Sequence, residues 1–103
     1  MTSERTLWLV SGGAEAVPGI RRAQELGLHV IVSDLNPNAP GARIADDFCL
    51  ASTYDAEATA EAALRYHREA RPIDGVSSVA ADVPVTVATV AAEAQDGALI
   101  RWV

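Results

Sequence analysis

Two rhythms of apolar residues alternate along this chain, and together they outline its elements. Leu7-Trp8-Leu9-Val10 is an unbroken apolar run closed by Ser11-Gly12-Gly13, which reads as a strand buried on both faces and stopped by a glycine turn. Val17, Ile20, Ala23 and Leu26 then recur at three-residue steps, the rhythm of a helix face. Pro18 falls in the first turn and Gly27 just past the end, where each is favoured. The β-branched run from His29 to Asp34 predicts a second strand. A strand, a helix and a strand within so short a stretch form a βαβ unit, whose two strands must run parallel.

The pattern then loosens. Leu35 to Asp46 holds Asn36, Pro37, Asn38, Pro40 and Gly41, which predicts a structured loop with one helical turn around Ala42 to Ala45. Phe48 to Ala51 predicts a third strand. Asp55 caps a long helix running to about Ala70, with Glu57, Glu61, Arg65 and Arg68 on its wet side and Arg71-Pro72 ending it. Gly75 to Val79 predicts a fourth strand. Val83 to Val90 nearly alternates like a strand, yet Asp82 is a good N-cap, Pro84 suits a first turn, and an Ala-rich stretch continues to Ala94; helix is the better reading. Ala98 to Val103 is either a fifth strand or a frayed end. The order describes an α/β fold: one domain spanning residues 1–103, with an open parallel sheet of four to five strands between two helical layers, Rossmann-like in plan.

Composition narrows what such a domain can do. The formal charge is −6 and all 8 basic residues are arginine, with no basic stripe, so nucleic-acid binding is disfavoured. No segment approaches membrane-spanning length and the N-terminus has no secretory pattern, which predicts a cytoplasmic protein without membrane association. Cys49 is the single cysteine. Between Phe48 and Leu50 it is expected to be a buried, inert thiol.

In an open parallel sheet, ligands bind beyond the carboxyl ends of the strands. That places candidate chemistry at Ser11-Gly12-Gly13, at Asp34-Leu35-Asn36, at Thr53-Tyr54-Asp55 and at Ala80-Ala81-Asp82. Gly12 and Gly13 could present backbone N–H groups to an anion, or could simply permit a sharp turn. Asp34 could take ligand hydroxyls, or could cap its own loop. A dinucleotide fingerprint starting at Gly12 would need glycine where Ala14 and Val17 stand, so nicotinamide-dinucleotide binding fits poorly. A phospho-acceptor domain would need an acidic pair where Ser11-Gly12-Gly13 stands. His29 and His67 have no companion at metal-ligand spacing and are expected at the surface or rim, and no serine sits in a nucleophile elbow. No catalytic residue, cofactor-binding residue or metal ligand is expected in this chain.

One stretch is more particular. Val30 to Phe48 contains a strand ending in Asp34, then Asn36-Pro37-Asn38-Ala39-Pro40, then Ala45-Asp46 before the third strand. This resembles the N-terminal (pre-ATP-grasp) domain of the ATP-grasp ligase superfamily, similar to the N-terminal lobe of carbamoyl-phosphate synthase, biotin carboxylase and the purine-biosynthetic ligases. The flanks agree: Ser11-Gly12-Gly13 with Pro18-Gly19-Ile20 and Glu25-Leu26-Gly27 on one side, Asp74-Gly75-Val76, Ala81-Asp82-Val83 and Val90-Ala91-Ala92-Glu93 on the other. The resemblance covers roughly Leu7 to Glu93.

The resemblance implies a lobe that precedes an ATP-binding pair of domains and helps bind the substrate other than the nucleotide, or forms a dimer interface. Gly12, Gly13, Asp34, Asn36 and Asp82 would then be substrate-binding. ATP and Mg²⁺ would belong to a partner ATP-grasp domain, whose lysines and acidic or amide metal ligands have no counterpart here. After Glu93 the sequence departs from the family and is expected to stop short of any ATP-grasp domain. Three readings follow. The first is an isolated or split lobe, inert alone, that binds a small acidic metabolite or an ATP-grasp partner subunit. The second is a minimal Rossmann nucleotide-binding module of an oxidoreductase. The third is a homodimerising assembly module in which Trp8, Trp102 and the apolar tail form the contact.

Overall fold

The computed structural model describes residues 5–78, 86–90 and 101–102. Strand β1 is Thr6–Val10, and a short 3-10 turn, Ala14–Ala16, leads from it into helix α1, Val17–Glu25. Then follow β2 (His29–Asp34), helix α2 (Pro40–Ile44), β3 (Asp47–Leu50), helix α3 (Ala56–Glu69) and β4 (Gly75–Ser77). Residues 86–90 are helical, and β5 is Arg101–Trp102. The five strands form one sheet in the order β3-β2-β1-β4-β5, and every pairing is parallel. The expected architecture is therefore present. At the tail the described pair is a strand, which decides between strand and frayed end. The helix expected through Val83 to Ala94 is seen over 86–90; the rest of it lies outside the described residues.

Burial follows from that topology. β1 lies at the centre of the sheet, and Trp8, Leu9 and Val10 are all but inaccessible. Alternate side chains feed opposite layers. Trp8, Val10 and Ile31 join Ala60, Ala63, Ile73, Val76, Val87 and Val90 on the α3 side, while Leu9, Val30 and Val32 pack with Ala16, Ile20 and Ala23 on the α1 side. Trp8 is thus wholly consumed by the interior: its ring meets Tyr66 edge-on at 6.0 Å, and its indole N–H donates to the buried Ser33 hydroxyl at 3.1 Å. The third reading placed Trp8 on an assembly surface, and its burial removes it from there. A two-sided sheet leaves its central strand no route to solvent.

Local chemistry sets the boundaries. Asp55 caps α3 as expected, its carboxylate accepting from the Ala58 N–H at 3.0 Å. Gly27 ends α1 with φ +87°, a conformation that only glycine adopts without cost. The expected helical turn in the β2–β3 loop forms two residues earlier than Ala42, because Pro40 supplies a preset φ at the first helical position.

Two aspartates, Asp46 and Asp74, do a job that sequence pattern did not disclose. Each precedes a strand, donates its own N–H to a carbonyl of the neighbouring strand (Val30 and Thr6), and takes that same residue's N–H on its carboxylate, at 2.8 Å in both cases. These reciprocal pairs close the amino ends of β2–β3 and β1–β4.

A candidate ligand and docking rim at the carboxyl ends of the strands

The carboxyl ends of β1, β2 and β3 open onto loops that are tied to one another. Ser11 continues the ladder by donating its N–H to the Ser33 carbonyl at 2.8 Å, and it does so at φ 78°, in the left-handed region that a serine occupies at a cost of about 1–2 kcal/mol. The next N–H, that of Gly12, donates to Asp34 Oδ2 at 2.9 Å. The other carboxylate oxygen, Oδ1, accepts the Asn36 N–H at 3.0 Å, and Asn36 in turn accepts the Asn38 N–H at 3.0 Å. Asp34 thus caps its own loop and also holds the glycine turn against β2.

The glycine turn has a second partner. The Gly41 N–H donates to the Gly12 carbonyl at 2.6 Å, so the first turn of α2 lies directly on the loop. A Cβ on Gly12 would stand 2.6 Å from Val32 Cγ1 and 3.1 Å from the Ala42 nitrogen, and one on Gly41 would stand 2.7 Å from the Gly12 oxygen. Both glycines are therefore required for a close backbone crossing. Gly13, next along, is extended at φ −63° and N-caps the 3-10 turn without a side-chain bond.

On the far side of β3, two hydroxyls hold the loop at 51–55. Thr59 donates to the Ser52 carbonyl and Thr86 to the Thr53 carbonyl, both at 2.9 Å. Tyr54, next after them in this loop, is 81% exposed.

The structure therefore brings Gly12, Gly13, Asp34 and Asn36 together at one rim; Asp82 lies outside the described residues. Gly12 and Asp34 are engaged with each other, while Asn36 and Asn38 are exposed. Segments 11–16, 34–38, 51–57 and 77–78 contain Glu15, Asp34, Asp55 and Glu57 and no arginine.

A different cluster stands at the opposite, amino end of the strands. Asp47 Oδ2 accepts the Tyr66 hydroxyl at 2.6 Å and lies 3.1 Å from His29 Nε2. Since a carboxylate only accepts, His29 presents Nε2 as the protonated nitrogen. The Tyr66 hydrogen bond, ahead of that from His29, holds the Asp47 carboxyl below its ordinary range, against a smaller opposing effect of burial. Burial, then the bond to Asp47, raises the Tyr66 phenol well above its ordinary value. His29 is expected at the surface or rim with no companion at metal-ligand spacing, and it stands at the rim, as the first residue of β2. Its side chain is only 14% exposed and Asp47 is its partner, supplied by the adjacent strand 18 residues on. Only the β2–β3 register makes that pair. His67 is half-buried, and its Nδ1 accepts the Ile73 N–H at 2.9 Å.

Burial, followed by the nearby Asp47 charge, pushes the Cys49 thiol up, in keeping with an inert cysteine. Among the described residues no group of three or more His, Cys, Asp or Glu side chains could hold a metal ion, and no helix is long and apolar enough to cross a membrane.

No family model and no curated protein matches the chain. Solved structures do. It is similar to N5-carboxyaminoimidazole ribonucleotide synthetase from Thermotoga maritima, at 21% identity and TM-score 0.68 over 93% of this chain and 24% of that one. It is similar to phosphoribosylglycinamide synthetase from Anaerococcus prevotii, at 20% identity and TM-score 0.73 over 90% of this chain and 23% of that one. It is also similar to glycinamide-RNase-transformylase T from Mycobacterium tuberculosis, at 26% identity and TM-score 0.71 over 95% of this chain and 26% of that one. The chain thus spans about a quarter of the length of the proteins it matches. Those proteins are ATP-grasp ligases, and the match falls in their N-terminal part. The chain has the fold of the N-terminal, pre-ATP-grasp domain of the ATP-grasp ligases, as the resemblance in its sequence implied.

Proposed function

We propose that these 103 residues act as the N-terminal lobe of an ATP-grasp carboxylate–amine ligase, binding a small substrate or a partner and without catalysis of their own. The observation that carries this reading is the match to the N-terminal quarter of three such ligases, over nine-tenths or more of this chain. The absence of lysine in the sequence supports it, because phosphoryl transfer depends on cationic groups and Mg²⁺ gathered around the phosphates. ATP and Mg²⁺ would be held by the partner domain, and the site of action would be cytoplasmic.

Two roles are open to such a lobe: holding a small acidic metabolite and docking onto the ATP-binding partner. The charge of the rim favours docking as the primary role. Four carboxylates and no arginine repel an anion, so an acidic metabolite at Gly13 and Asn36 would draw its counter-charges from the partner. The reading of Gly12, Gly13, Asp34, Asn36 and Asp82 as substrate-binding is accordingly proposed for the assembled enzyme, with Gly12 and Asp34 shaping the loop that carries the others.

Isothermal calorimetry tests the reading. The isolated chain should show no saturable uptake of Mg-ATP, and tight binding would remove the proposal. A parallel titration with NAD(P) addresses the oxidoreductase alternative, which saturable binding at micromolar concentration would favour.

A further inference from the structure

The outer face of α3 carries its charges in two blocks. Glu57 and Glu61 lie in the first half of the helix, Arg65 and Arg68 in the second, and all four are exposed. At 3.6 residues per turn these positions and the half-buried Leu64 fall within an arc of about 100° around the axis, so they form one stripe. Part of the stripe borders a groove. Glu57, Ala60, Glu61 and Leu64 line a cleft of about 260 Å³ together with Thr89, which belongs to the helical residues 86–90. Acid before base suits the dipole of any helix, and such charges commonly pair within it at four-residue spacing. Here they do not. Among the described residues none of the four makes an ion pair, although Arg65 follows Glu61 by four positions.

We propose that this stripe is the contact of a homodimer, in which α3 of a second copy lies antiparallel on α3 across a two-fold axis. The order of the charges selects that occupant. Read backwards, the stripe complements itself: Glu57 faces the partner's Arg68, Glu61 faces the partner's Arg65, and the two-fold repeats both pairs. Leu64 lies within two residues of the midpoint of the stripe, so it meets its own copy beside the axis. A parallel second helix would set acid on acid and base on base, and a uniformly basic or acidic partner would match only half of the stripe. The contact runs about 17 Å along the helix around one leucine from each copy, so the dimer is weak and sensitive to salt. This inference goes beyond the proposed function and does not depend on it.

Sedimentation equilibrium of the full chain and of two charge-block variants tests the contact. Glu57→Arg with Glu61→Arg makes the stripe wholly basic, and Arg65→Glu with Arg68→Glu makes it wholly acidic. Each variant alone should dissociate at least about tenfold more readily than the unaltered chain. An equimolar mixture of the two should form a heterodimer at least as tight as the original homodimer, because every facing pair is then of opposite sign. Raising salt from about 0.05 to about 0.5 M should weaken both dimers. An unaltered chain that stays monomeric at about 1 mM, a dimer that either variant leaves intact, or a mixture that does not associate would overturn the contact. All four changes fall on exposed positions, and circular dichroism checks that the variants fold. If one does not, NMR shifts of the unaltered chain on dilution decide: changes confined to α3 and the groove beside it support the contact, and changes elsewhere or none overturn it.

Discussion

Gly12 and Gly41 show how much of this rim hangs on single atoms. Their backbones cross at 2.6 Å between nitrogen and oxygen, with no space for a Cβ on either. Gly41→Ala should therefore cost about 2–3 kcal/mol in urea unfolding, because backbone has to move. Gly27→Ala, at φ +87° with nothing within 4 Å, should cost only the left-handed conformation, about 1–2 kcal/mol. An equal loss in the two variants would show that the crossing is not tight in solution. Trp8 and Ser33 make the other residue-scale case: the pair is buried and mutually satisfied at 3.1 Å. Trp8→Phe leaves the Ser33 hydroxyl without its donor, at about 1–3 kcal/mol plus the lost volume. Adding Ser33→Ala should recover part of that loss in a double-mutant cycle.

At the scale of elements, the Asp47–Tyr66–His29 cluster ties α3 to the first residues of β2 and β3. Its pH signature has a definite sign. The folded Asp47 titrates below the ordinary 3.8, so its contribution is present above that value and is lost as pH falls through the lower, folded one. Tyr66 shifts the other way. Its contribution is complete below the ordinary 10.0 and declines as pH rises beyond it towards the raised value. Tyr66→Phe should therefore flatten both limbs of a stability–pH curve, reducing the loss below 3.8 and the loss above 10.0, where the raised Cys49 thiol leaves a remainder. Urea midpoints at several pH values in each window would check it, and limbs as steep as those of the unaltered protein would contradict the geometry. The element boundaries themselves were largely legible. β2 runs over His29–Asp34 as read, and Asp55 caps α3 as read, because capping and β-branched runs are local signals. The exact start of α2 was less so, since its first turn is tied to the Gly12 carbonyl by the Gly41 N–H.

At the scale of the whole molecule, one sheet separates two apolar layers. Ile20 belongs to the α1 layer and Ile73 to the α3 layer, both 1% exposed. Each truncation to alanine should cost about 2–5 kcal/mol, and the two should add within about 0.5 kcal/mol, because the sheet keeps their cavities apart. Marked non-additivity in thermal or urea unfolding would mean that the layers communicate through the strands. The same two-sided geometry leaves the carboxyl rim as the place where loops can vary without disturbing the core, which is why docking and ligand chemistry are sought there.

By itself the sequence determined the alternation of strands and helices, the parallel sheet with helices on both faces, and the rim where Gly12, Gly13, Asp34 and Asn36 gather. These follow from apolar rhythm, caps and turn residues, all of which act over a few neighbours. Tertiary structure alone decided that Asp34 is occupied with Gly12, that Asp47 finds His29 and Tyr66, that Asp46 and Asp74 clamp strand ends, and that Trp8 meets Ser33 and Tyr66 while Leu35, Leu50 and Tyr54 lie outside. Those outcomes depend on register and strand order, which join residues 16 to 68 positions apart and which no local pattern encodes.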